Sequence, residues 1–324
     1  MTDAIVVDEL TKHFGTVEAV SDLSFRVQRG ELFGFLGPNG AGKTTTINML
    51  TGLARPDAGS IHIGGIDCSA DPRAAQGLIG VVPDESNLYA ELSGFENLCF
   101  CAALHGLEKG ERQFRAHQLL DAFGLSDAAD RKFGAYSKGM KRKLTIAAGI
   151  IHNPEILFLD EPTTGIDVAS ARQLRQLIAD LHQAGTTIFL TTHYIEEAER
   201  LCDRIAFLVA GRIVRIDTVE ELLQPVQEKH LVQIACAHPL PDIREELALA
   251  FDGLNFAFPE SDLIRVEGDA ALRVGSLVRF LEDHGAEVVE AKRMRPSLED
   301  VFVRITGVET GIMGKEKEKG GNGR

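Results

Sequence analysis

The sequence lacks any uninterrupted apolar stretch near the ~20 residues that a helix needs to cross a bilayer. Its beginning, Met1-Thr2-Asp3-Ala4, carries an acidic residue and enters a predicted strand at once, which is unlike the basic and then apolar start of a signal peptide. We therefore expect a cytosolic chain, with any membrane association supplied by a partner.

Basic residues are too few for a general nucleic-acid binder. Lys and Arg number 34 against 48 Asp and Glu, so the formal net charge is −14, whereas a nucleic-acid-binding domain usually carries a basic surface. This balance leaves room for a local basic patch, but we expect no nucleic-acid partner.

Paired metal ligands are missing as well. The five cysteines lie at positions 68, 99, 101, 202 and 236. None forms a Cys-x-x-Cys pair, and the ten histidines show no His-x-x-x-His spacing, so neither residue type predicts a metal site. Scattered cysteines of this kind are expected to be reduced thiols of a cytosolic protein.

A glycine-rich segment gives the strongest positive signal. It runs Gly37-Pro38-Asn39-Gly40-Ala41-Gly42-Lys43-Thr44-Thr45 and fits the phosphate-binding P-loop pattern G-x-x-x-x-G-K-[ST]. A predicted buried strand precedes it and a predicted helix follows, as the motif requires. Its N–H groups would bind the phosphates of ATP, Lys43 would reach the β- and γ-phosphates, and the Thr44 hydroxyl would hold Mg²⁺. The alternative, a glycine-rich turn without a ligand, fits this context poorly.

A second segment supplies two carboxylates. Residues 156–160 form an apolar run that predicts a buried strand, and it ends in Asp160 and Glu161. Because side chains alternate along a strand, the two acids point in different directions. Asp160 is placed to hold the Mg²⁺ shell, and Glu161 is then free to polarise the water that attacks the γ-phosphate. The alternative is a pair of acids that ends a strand at the surface.

The order of predicted elements divides the chain. Strands such as 4–7 and 24–27 come first, a helical insertion occupies about 88–155, and strands then alternate with helices. This order predicts an α/β domain over residues 1–220. Residues 221–308 follow the order β-α-β-β-α-β of a small ferredoxin-like α+β domain. The remaining residues, 309–324, are rich in Lys, Glu and Gly and are expected to be disordered.

One further segment, taken with the P-loop and the acid pair, resembles the signature of the ATP-binding subunits of ABC transporters. It runs Tyr136-Ser137-Lys138-Gly139-Met140-Lys141-Arg142-Lys143-Leu144. The resemblance covers roughly residues 3 to 220, and Lys138 and Met140 depart from the usual L-S-G-G-Q as they do in subunits that drive ABC-2 exporters. It implies a P-loop ABC cassette in which Ser137 and Gly139, at a helix start, bind the ATP held by a second copy.

The basic residues of the signature segment allow other interpretations. They could form a solvated helix face or a nucleic-acid patch, and neither Arg142 nor Lys143 receives a special role from the sequence.

Three further matches follow from the resemblance. Thr164-Gly165-Ile166-Asp167 resembles the D-loop that contacts the other subunit, which places Asp167 near the nucleotide. Thr191-Thr192-His193 resembles the segment of the switch histidine, which implies a contact of His193 with the γ-phosphate. Phe14 occupies the position of an aromatic residue that stacks on adenine, although it could equally belong to the core.

One residue departs from the family pattern. The segment Ile79-Gly80-Val81-Val82-Pro83-Asp84-Glu85 aligns with the Q-loop, yet Asp84 stands where glutamine is usual. A carboxylate still suits Mg²⁺, so Asp84 is predicted as a metal ligand beside Thr44 and Asp160. It also adds negative charge next to the phosphates.

The C-terminal domain carries a weaker match. Residues 295–303 resemble the closing segment of ABC-2 exporter ATPases, and apolar residues at helical spacing after Pro296 predict a docking helix with a structural role.

The resemblance thus implies the ATPase subunit of an ABC-type exporter. Two copies, most simply a homodimer, would bind ATP and Mg²⁺ between them and drive a separate integral-membrane permease of the ABC-2 class from the cytoplasmic side. Glu161, His193 and Lys43 are the expected catalytic residues. The alternatives are a soluble ABC ATPase of DNA repair or translation, and a regulatory module that binds ATP without turnover.

The permease is expected to dock on the segment that follows Asp84. Leu88, Tyr89, Leu92 and Phe95 lie there, between the Q-loop and the helical insertion. The alternative is that these side chains pack the insertion onto the sheet.

Overall fold

The computed structural model describes residues 3–227, 230–240, 243–294 and 297–307. The chain divides into two compact units, one ending at Thr218 and one spanning Val219–Gly307; the boundary we predicted follows residue 220. Arg295, Pro296 and the predicted disordered tail, 309–324, lie outside the described residues.

Two sheets build the first unit. The smaller one is antiparallel at every pairing and runs in the order β2-β1-β4-β5. Its strands are β1 (Asp3–Phe14), β2 (Val17–Gln28), β4 (Ala58–Ile63) and β5 (Ile66–Asp67). The larger one runs in the order β10-β9-β3-β8-β7-β6 and is parallel except for the pairing of β10 with β9. Its strands are β3 (Leu32–Leu36), β6 (Ile79–Val82), β7 (Ile156–Asp160), β8 (Thr187–Thr192), β9 (Arg204–Val209) and β10 (Arg212–Thr218).

The central strands are mostly apolar because both faces of the parallel sheet are covered. Every residue of β3, β7 and β8 is buried. Phenylalanine rings fill the space between the two sheets, with neighbouring ring centroids 5.4 to 5.9 Å apart. These rings belong to Phe25, Phe33, Phe35, Phe158 and Phe189.

The parallel sheet brings four motifs to one edge. The P-loop follows β3, the acid pair ends β7, His193 follows β8, and Asp84 follows β6. Since these strands are parallel, their carboxyl ends lie at the same edge, where open α/β sheets bind ligands.

Helices cover this sheet and form the insertion. Those of the first unit are α1 (Lys43–Leu50), α2 (Pro72–Gly77), α3 (Gly94–Leu104), α4 (Lys109–Ala122), α5 (Lys138–Ile150), α6 (Val168–Gln183) and α7 (Ile195–Leu201). A capping box opens α3: the Ser93 hydroxyl accepts the N–H of Glu96 at 3.1 Å, and the Glu96 carboxylate accepts the N–H of Ser93 at 2.8 Å. Helices α3, α4 and α5 lie between β6 and β7, where the sequence predicts a helical insertion.

The second unit has the predicted ferredoxin-like order, with an antiparallel sheet β12-β13-β11-β14. Its elements are α8 (Val219–Gln227), β11 (His230–Cys236), α9 (Arg244–Ala250), β12 (Asn255–Glu260), β13 (Leu263–Gly268), α10 (Val274–Asp283), β14 (Val288–Met294) and α11 (Leu298–Thr306). Helix α11 is the predicted closing helix, and it packs on α8 through a buried face that includes Phe302.

Two strands are longer than the sequence suggested. Strands β1 and β2 continue well beyond the predicted 4–7 and 24–27 because the ladder tolerates irregular, polar positions. Glu9 and Asp22 adopt positive φ of 51° and 52°, and the register shifts between Val7 and Leu10. Such bulges interrupt the alternation of apolar and polar residues by which a strand is recognised in a sequence.

No helix in the part of the chain that the structure describes is both long and apolar enough to span a bilayer.

Candidate functional site

A cavity of about 270 Å³ opens at the carboxyl edge of the large sheet. Most of its lining comes from the P-loop, and carboxylates from two other segments complete it. The lining residues are Ala19, Asn39, Gly40, Gly42, Lys43, Thr44, Thr45, Asp84 and Glu161. The structure thus brings the core of the predicted P-loop to two of the predicted acids.

The backbone of the P-loop depends on glycine. Gly42 caps α1 with φ of 106°, a conformation that side chains disfavour, and a Cβ there would lie 2.5 Å from the carbonyl oxygen of Ala19. The loop therefore turns tightly into α1, whose first N–H groups face the cavity and can bind an anion.

Lys43 is held at the centre of this loop, with only 5% of its surface exposed. Its ammonium group donates to the carbonyl oxygens of Gly37 at 2.8 Å and Pro38 at 3.1 Å, and lies 3.3 Å from a carboxylate oxygen of Glu161. The buried cation is therefore pinned by the loop that precedes it and is balanced by the predicted catalytic acid.

Asp160 joins the P-loop to the sheet. One of its oxygens accepts the Thr44 hydroxyl at 3.1 Å, and the other accepts the hydroxyl of Thr191, which pairs with Asp160 across β7 and β8. Burial raises the pKa of Asp160, and these two hydrogen bonds oppose the rise. Thr191 is a contact that we did not predict from the sequence; the pairing of two parallel strands is the signal that locates it.

Glu161 lies directly beyond β7 in a left-handed backbone conformation, with φ of 48°. Its carboxylate accepts hydrogen bonds from His193 Nδ1 and, at 2.8 Å, from the Thr164 hydroxyl. Because a carboxylate only accepts, Nδ1 of His193 carries the hydrogen. Burial by itself raises the pKa of Glu161, but His193, Lys43 and Thr164 together outweigh burial and lower the pKa to about 2. The acid is therefore ionised at neutral pH and paired with the two residues predicted to work with it.

Thr44, Asp84 and Asp160 offer only oxygen donors. Thr44 and Asp84 line the same cavity, and the carboxylate of Asp160 meets the Thr44 hydroxyl. Hydroxyl and carboxylate oxygens are the donor types that suit Mg²⁺, so the residues fit the predicted cation.

Four predicted site residues lie elsewhere: Phe14, Ser137, Gly139 and Asp167. Phe14 ends β1 and is 55% exposed, with the Lys12 ammonium 5.5 Å from its ring centroid. None of these four residues is among the described residues that line the cavity.

Three of these residues serve helix ends. The Ser137 hydroxyl caps α5 by accepting the N–H of Met140 at 3.2 Å, and Asp167 caps α6 by accepting the N–H of Ser170 at 2.9 Å. A Cβ on Gly139 would lie 2.4 Å from the Ser170 hydroxyl, so a larger residue would push α5 away from α6.

Arg142 received no special role from the sequence, which allowed it a place on a solvated helix face, but the structure buries it. It lies on α5, is 6% exposed, and directs its guanidinium at main-chain carbonyl groups beneath the cavity. A signal does exist in the sequence: Arg142 stands three residues after Gly139 and four before Ile146, on the face of α5 that is buried.

A second, larger groove of about 560 Å³ lies next to the segment that follows Asp84. Apolar side chains on it include Leu53, Val81, Leu88 and Leu104. Tyr89 stands nearby, 55% exposed and edge-on to Phe100 at 5.2 Å between ring centroids.

The other two residues predicted at this docking site, Leu92 and Phe95, are less exposed than Tyr89. Leu92 and Phe95 are half-buried, and Phe95 packs on the His117 ring at 4.6 Å. Of the four predicted residues, Leu88 lines the groove and Tyr89 is mostly exposed, which suits a surface role, whereas Phe95 packs within the insertion.

Comparison with known proteins agrees with this geometry. Residues 20–164 match the family described as ABC transporter. The chain is 35% identical to the linearmycin resistance ATP-binding protein LnrL of Bacillus subtilis over 306 residues, which are 93% of this chain and 97% of that protein. It is 36% identical to the Nod factor export ATP-binding protein I of Rhizobium etli over 94% of each chain.

A solved structure is similar as well. A dimeric ATP-binding cassette in a post-hydrolysis state, bound to ADP and Pi, superimposes with a TM-score of 0.61 at 26% identity, over 66% of this chain and 98% of that one.

Proposed function

The chain belongs to the ABC transporter family of ATP-binding subunits, and from that premise we propose how its residues hydrolyse ATP and which partner they drive. It is an ATP-hydrolysing subunit of an export system, as its full-length relatives indicate. One observation carries the assignment of residues: at the P-loop cavity, buried Glu161 forms an ion pair with Lys43 and a hydrogen bond with His193.

Lys43 changes partner when ATP binds. The β- and γ-phosphates compete with Glu161 for its ammonium group, because a multiply charged phosphate is the stronger acceptor. Once Lys43 turns to the phosphates, Glu161 loses one of the groups that hold its pKa at about 2. Its pKa then rises, and the carboxylate becomes a better base toward a water molecule.

His193 keeps the Glu161 carboxylate in place. Its Nδ1 holds one oxygen of Glu161, while the other faces Lys43. The imidazole thus orients the base, and its second nitrogen donates to the γ-phosphate when the ring carries both hydrogens. Positioning of this kind supplies most of the catalysis of phosphoryl transfer.

Mg²⁺ is proposed to bind at this site together with ATP. We assign it to the Thr44 hydroxyl and the carboxylates of Asp160 and Asp84, which supply oxygen donors around the cavity. When bound, the cation neutralises part of the negative charge on the phosphates.

Two copies of the chain form the working unit. ABC ATPases of this family act as dimers with a membrane permease, and the similar solved cassette is itself dimeric. We assign Ser137, Gly139 and Asp167 to the ATP bound by the second copy, and Phe14 to the adenine ring. Ser137 and Gly139 lie at the N-terminal end of α5, where helices attract anions.

The permease is proposed to be of the ABC-2 class and to dock in the groove beside Leu88 and Tyr89. This surface is apolar, lies next to the Asp84 segment, and can receive a short helix. The chain would then work at the cytoplasmic face of the membrane, and the names of its relatives support export.

Substitution of Glu161 by Gln tests the enzymatic assignment. The amide keeps the shape of the side chain but cannot act as a base, so we expect ATP binding to persist and hydrolysis to fall by about 10²- to 10⁴-fold. The protein should also accumulate as an ATP-bound dimer, visible by size-exclusion chromatography with ATP. Glu91→Gln, which removes an exposed acid paired with Lys132, is the matched control. Turnover of Glu161→Gln within threefold of the parent would remove Glu161 from this role.

A further inference from the structure

The side chain of Arg142 lies where the helical insertion meets the floor of the ATP cavity. Among the described residues, its hydrogen-bond acceptors are main-chain carbonyl oxygens. Nε donates to Pro162 at 2.8 Å, Nη2 donates to Asp160 at 2.7 Å and Glu161 at 2.9 Å, and Nη1 donates to Asp84 at 2.9 Å and to Pro83. We call this guanidinium and its five carbonyl groups the Arg142 clasp.

The five carbonyl groups belong to two separate segments. Pro83 and Asp84 follow β6, and residues 160–162 end and follow β7. Neither segment is part of α5, which carries Arg142. One side chain therefore ties the main chain beneath Asp84 to the main chain beneath Asp160 and Glu161, the three acids of the site.

Arginine is chemically suited to this position. Its planar group has five N–H donors in a fixed arrangement, whereas lysine has three donors around one point of charge. Burial lowers the pKa of Arg142, and the surrounding carboxylates of Asp84, Asp160, Glu197 and Glu161 oppose that change. Nearby carboxylates thus balance the positive charge of Arg142, while its N–H groups donate to main-chain carbonyl oxygens.

We propose that Arg142 is a positioning residue that sets the place of Glu161 and Asp84 according to the position of α5. The proposal rests on the assigned function, because Ser137 and Gly139 at the start of the same helix are assigned to the ATP of the second copy. Arg142 lies little more than one turn after Ser137, in one rigid helix. A shift of α5 on contact with that ATP would move the clasp, and with it the catalytic acid of the first site. Arg142 is therefore the link through which one ATP site senses the other.

Arg142→Gln is the direct test. Glutamine offers two N–H donors in place of five, so the two segments lose most of their common anchor. Misplacement of a catalytic group by about 1 Å can cost 10²-fold, and we expect kcat to fall by roughly 30- to 100-fold. ATP affinity, measured with a fluorescent ATP analogue, should stay within about threefold because Lys43 and the P-loop are untouched.

The second readout is cooperativity. The parent protein should hydrolyse ATP with a Hill coefficient above 1, and Arg142→Gln should reduce it to 1. If Arg142 only held the fold together, its loss would lower the melting temperature and would reduce ATP binding along with kcat. Arg142→Lys, which keeps the charge and three donors, should recover part of kcat and serves as the second variant should Arg142→Gln fail to fold. Lys143→Gln, one position along α5, is the matched control and should behave like the parent.

Three results would overturn the inference. They are a folded Arg142→Gln protein with kcat within threefold of the parent, a parent without cooperativity, and a drop in kcat that leaves the Hill coefficient unchanged. Glu161→Gln assayed in parallel separates the two levels of the argument. Should it keep its turnover, the assigned function fails; should it lose turnover while Arg142→Gln does not, only the role of Arg142 fails.

Discussion

Glu161 combines its chemical role with an unfavourable backbone. A residue other than glycine at φ of 48° costs on the order of 1 kcal/mol. Main-chain hydrogen bonds hold it there: its N–H donates to the Thr191 carbonyl at 3.0 Å, and its own carbonyl accepts Arg142. The turn aims the carboxylate at Lys43 and His193 instead of continuing along β7, so the local strain serves the geometry of the site.

Asp84 permits a prediction at the same scale. It shares the cavity with Glu161, so its charge opposes bound phosphates. Asp84→Gln removes that charge, and we expect ATP measured in EDTA to bind roughly three- to tenfold more tightly. If Asp84 is also a Mg²⁺ ligand, the Mg²⁺ concentration for half-maximal ATPase activity should rise, because an amide is the weaker ligand. Asp84→Asn, which keeps the side-chain length, separates charge from reach. Unchanged ATP affinity together with unchanged Mg²⁺ demand in both variants would contradict this role.

Among the elements, the segment from Asp84 into α3 has one side on the apolar groove and another held by the protein interior. Its first part lines the apolar groove through Leu88 and presents Tyr89 to solvent. The main chain of Tyr89 is held from within, because buried Asn97 on α3 accepts its N–H at 2.9 Å and donates to its carbonyl at 3.0 Å. The groove wall is therefore rigid on the protein side and open on the other, as a docking surface requires.

Tyr89→Glu tests this surface. Tyr89 is more than half exposed, so the variant should fold and keep its basal ATPase activity. On a permease interface the new charge would be buried without a partner, which should weaken the complex by about 2 kcal/mol or more. Co-purification with the permease should then be lost. Phe114→Glu, at an aromatic residue on α4 that is 69% exposed and outside this groove, should leave the complex intact. A Tyr89→Glu protein that still binds its permease would exclude Tyr89 from the interface.

Local patterns explain what could be predicted from the sequence at the level of elements. The bounds of β7 matched because an unbroken apolar run marks them. The P-loop and the acid pair were recognisable since each is contiguous and sits in its expected context. For Arg142 the spacing along α5 indicates burial, but its partners could not be predicted. They are carbonyl groups of residues 18 to 59 positions away, and a carbonyl group leaves no trace in a sequence. The full length of β1 could not be predicted either, because its bulges interrupt the strand periodicity.

For the whole molecule, the folding equilibrium depends on one acid that the chemistry does not use. Glu197 on α7 is 2% exposed, and neither carboxyl oxygen has a hydrogen-bond partner of ordinary geometry among the described residues. Burial raises the pKa of Glu197, while the nearby hydroxyls of Thr192 and Thr163 oppose the rise only in part. Between the unfolded pKa and the higher folded pKa, the folded protein therefore holds a proton that the unfolded chain releases.

The sign of the resulting pH dependence follows from that proton. Because the folded pKa lies above the unfolded one, this contribution to stability is complete below about pH 4.5, the ordinary value for Glu, and declines as pH rises through the folded pKa. Glu197→Gln should remove the part of the decline that Glu197 contributes and raise the melting temperature at pH 8 by about 2–4 °C. Glu196→Gln, at the exposed neighbour, is the control. Melting curves recorded from pH 5 to 8 that fall in parallel for Glu197→Gln and the parent would refute the assignment.

The clasp around Arg142 also bears on how the chain can vary. Its acceptors are carbonyl groups, which every residue possesses, proline included, and two of the five belong to Pro83 and Pro162. This contact therefore allows any side chain at those positions. It also allows aspartate at position 84, where glutamine is usual in the family. The spacing of the carbonyl groups cannot be exchanged in that way. One residue inserted or deleted next to Asp84 would move an acceptor by about 3.8 Å, more than the length of a hydrogen bond. Chain length at this position, and not residue identity, is what the contact constrains.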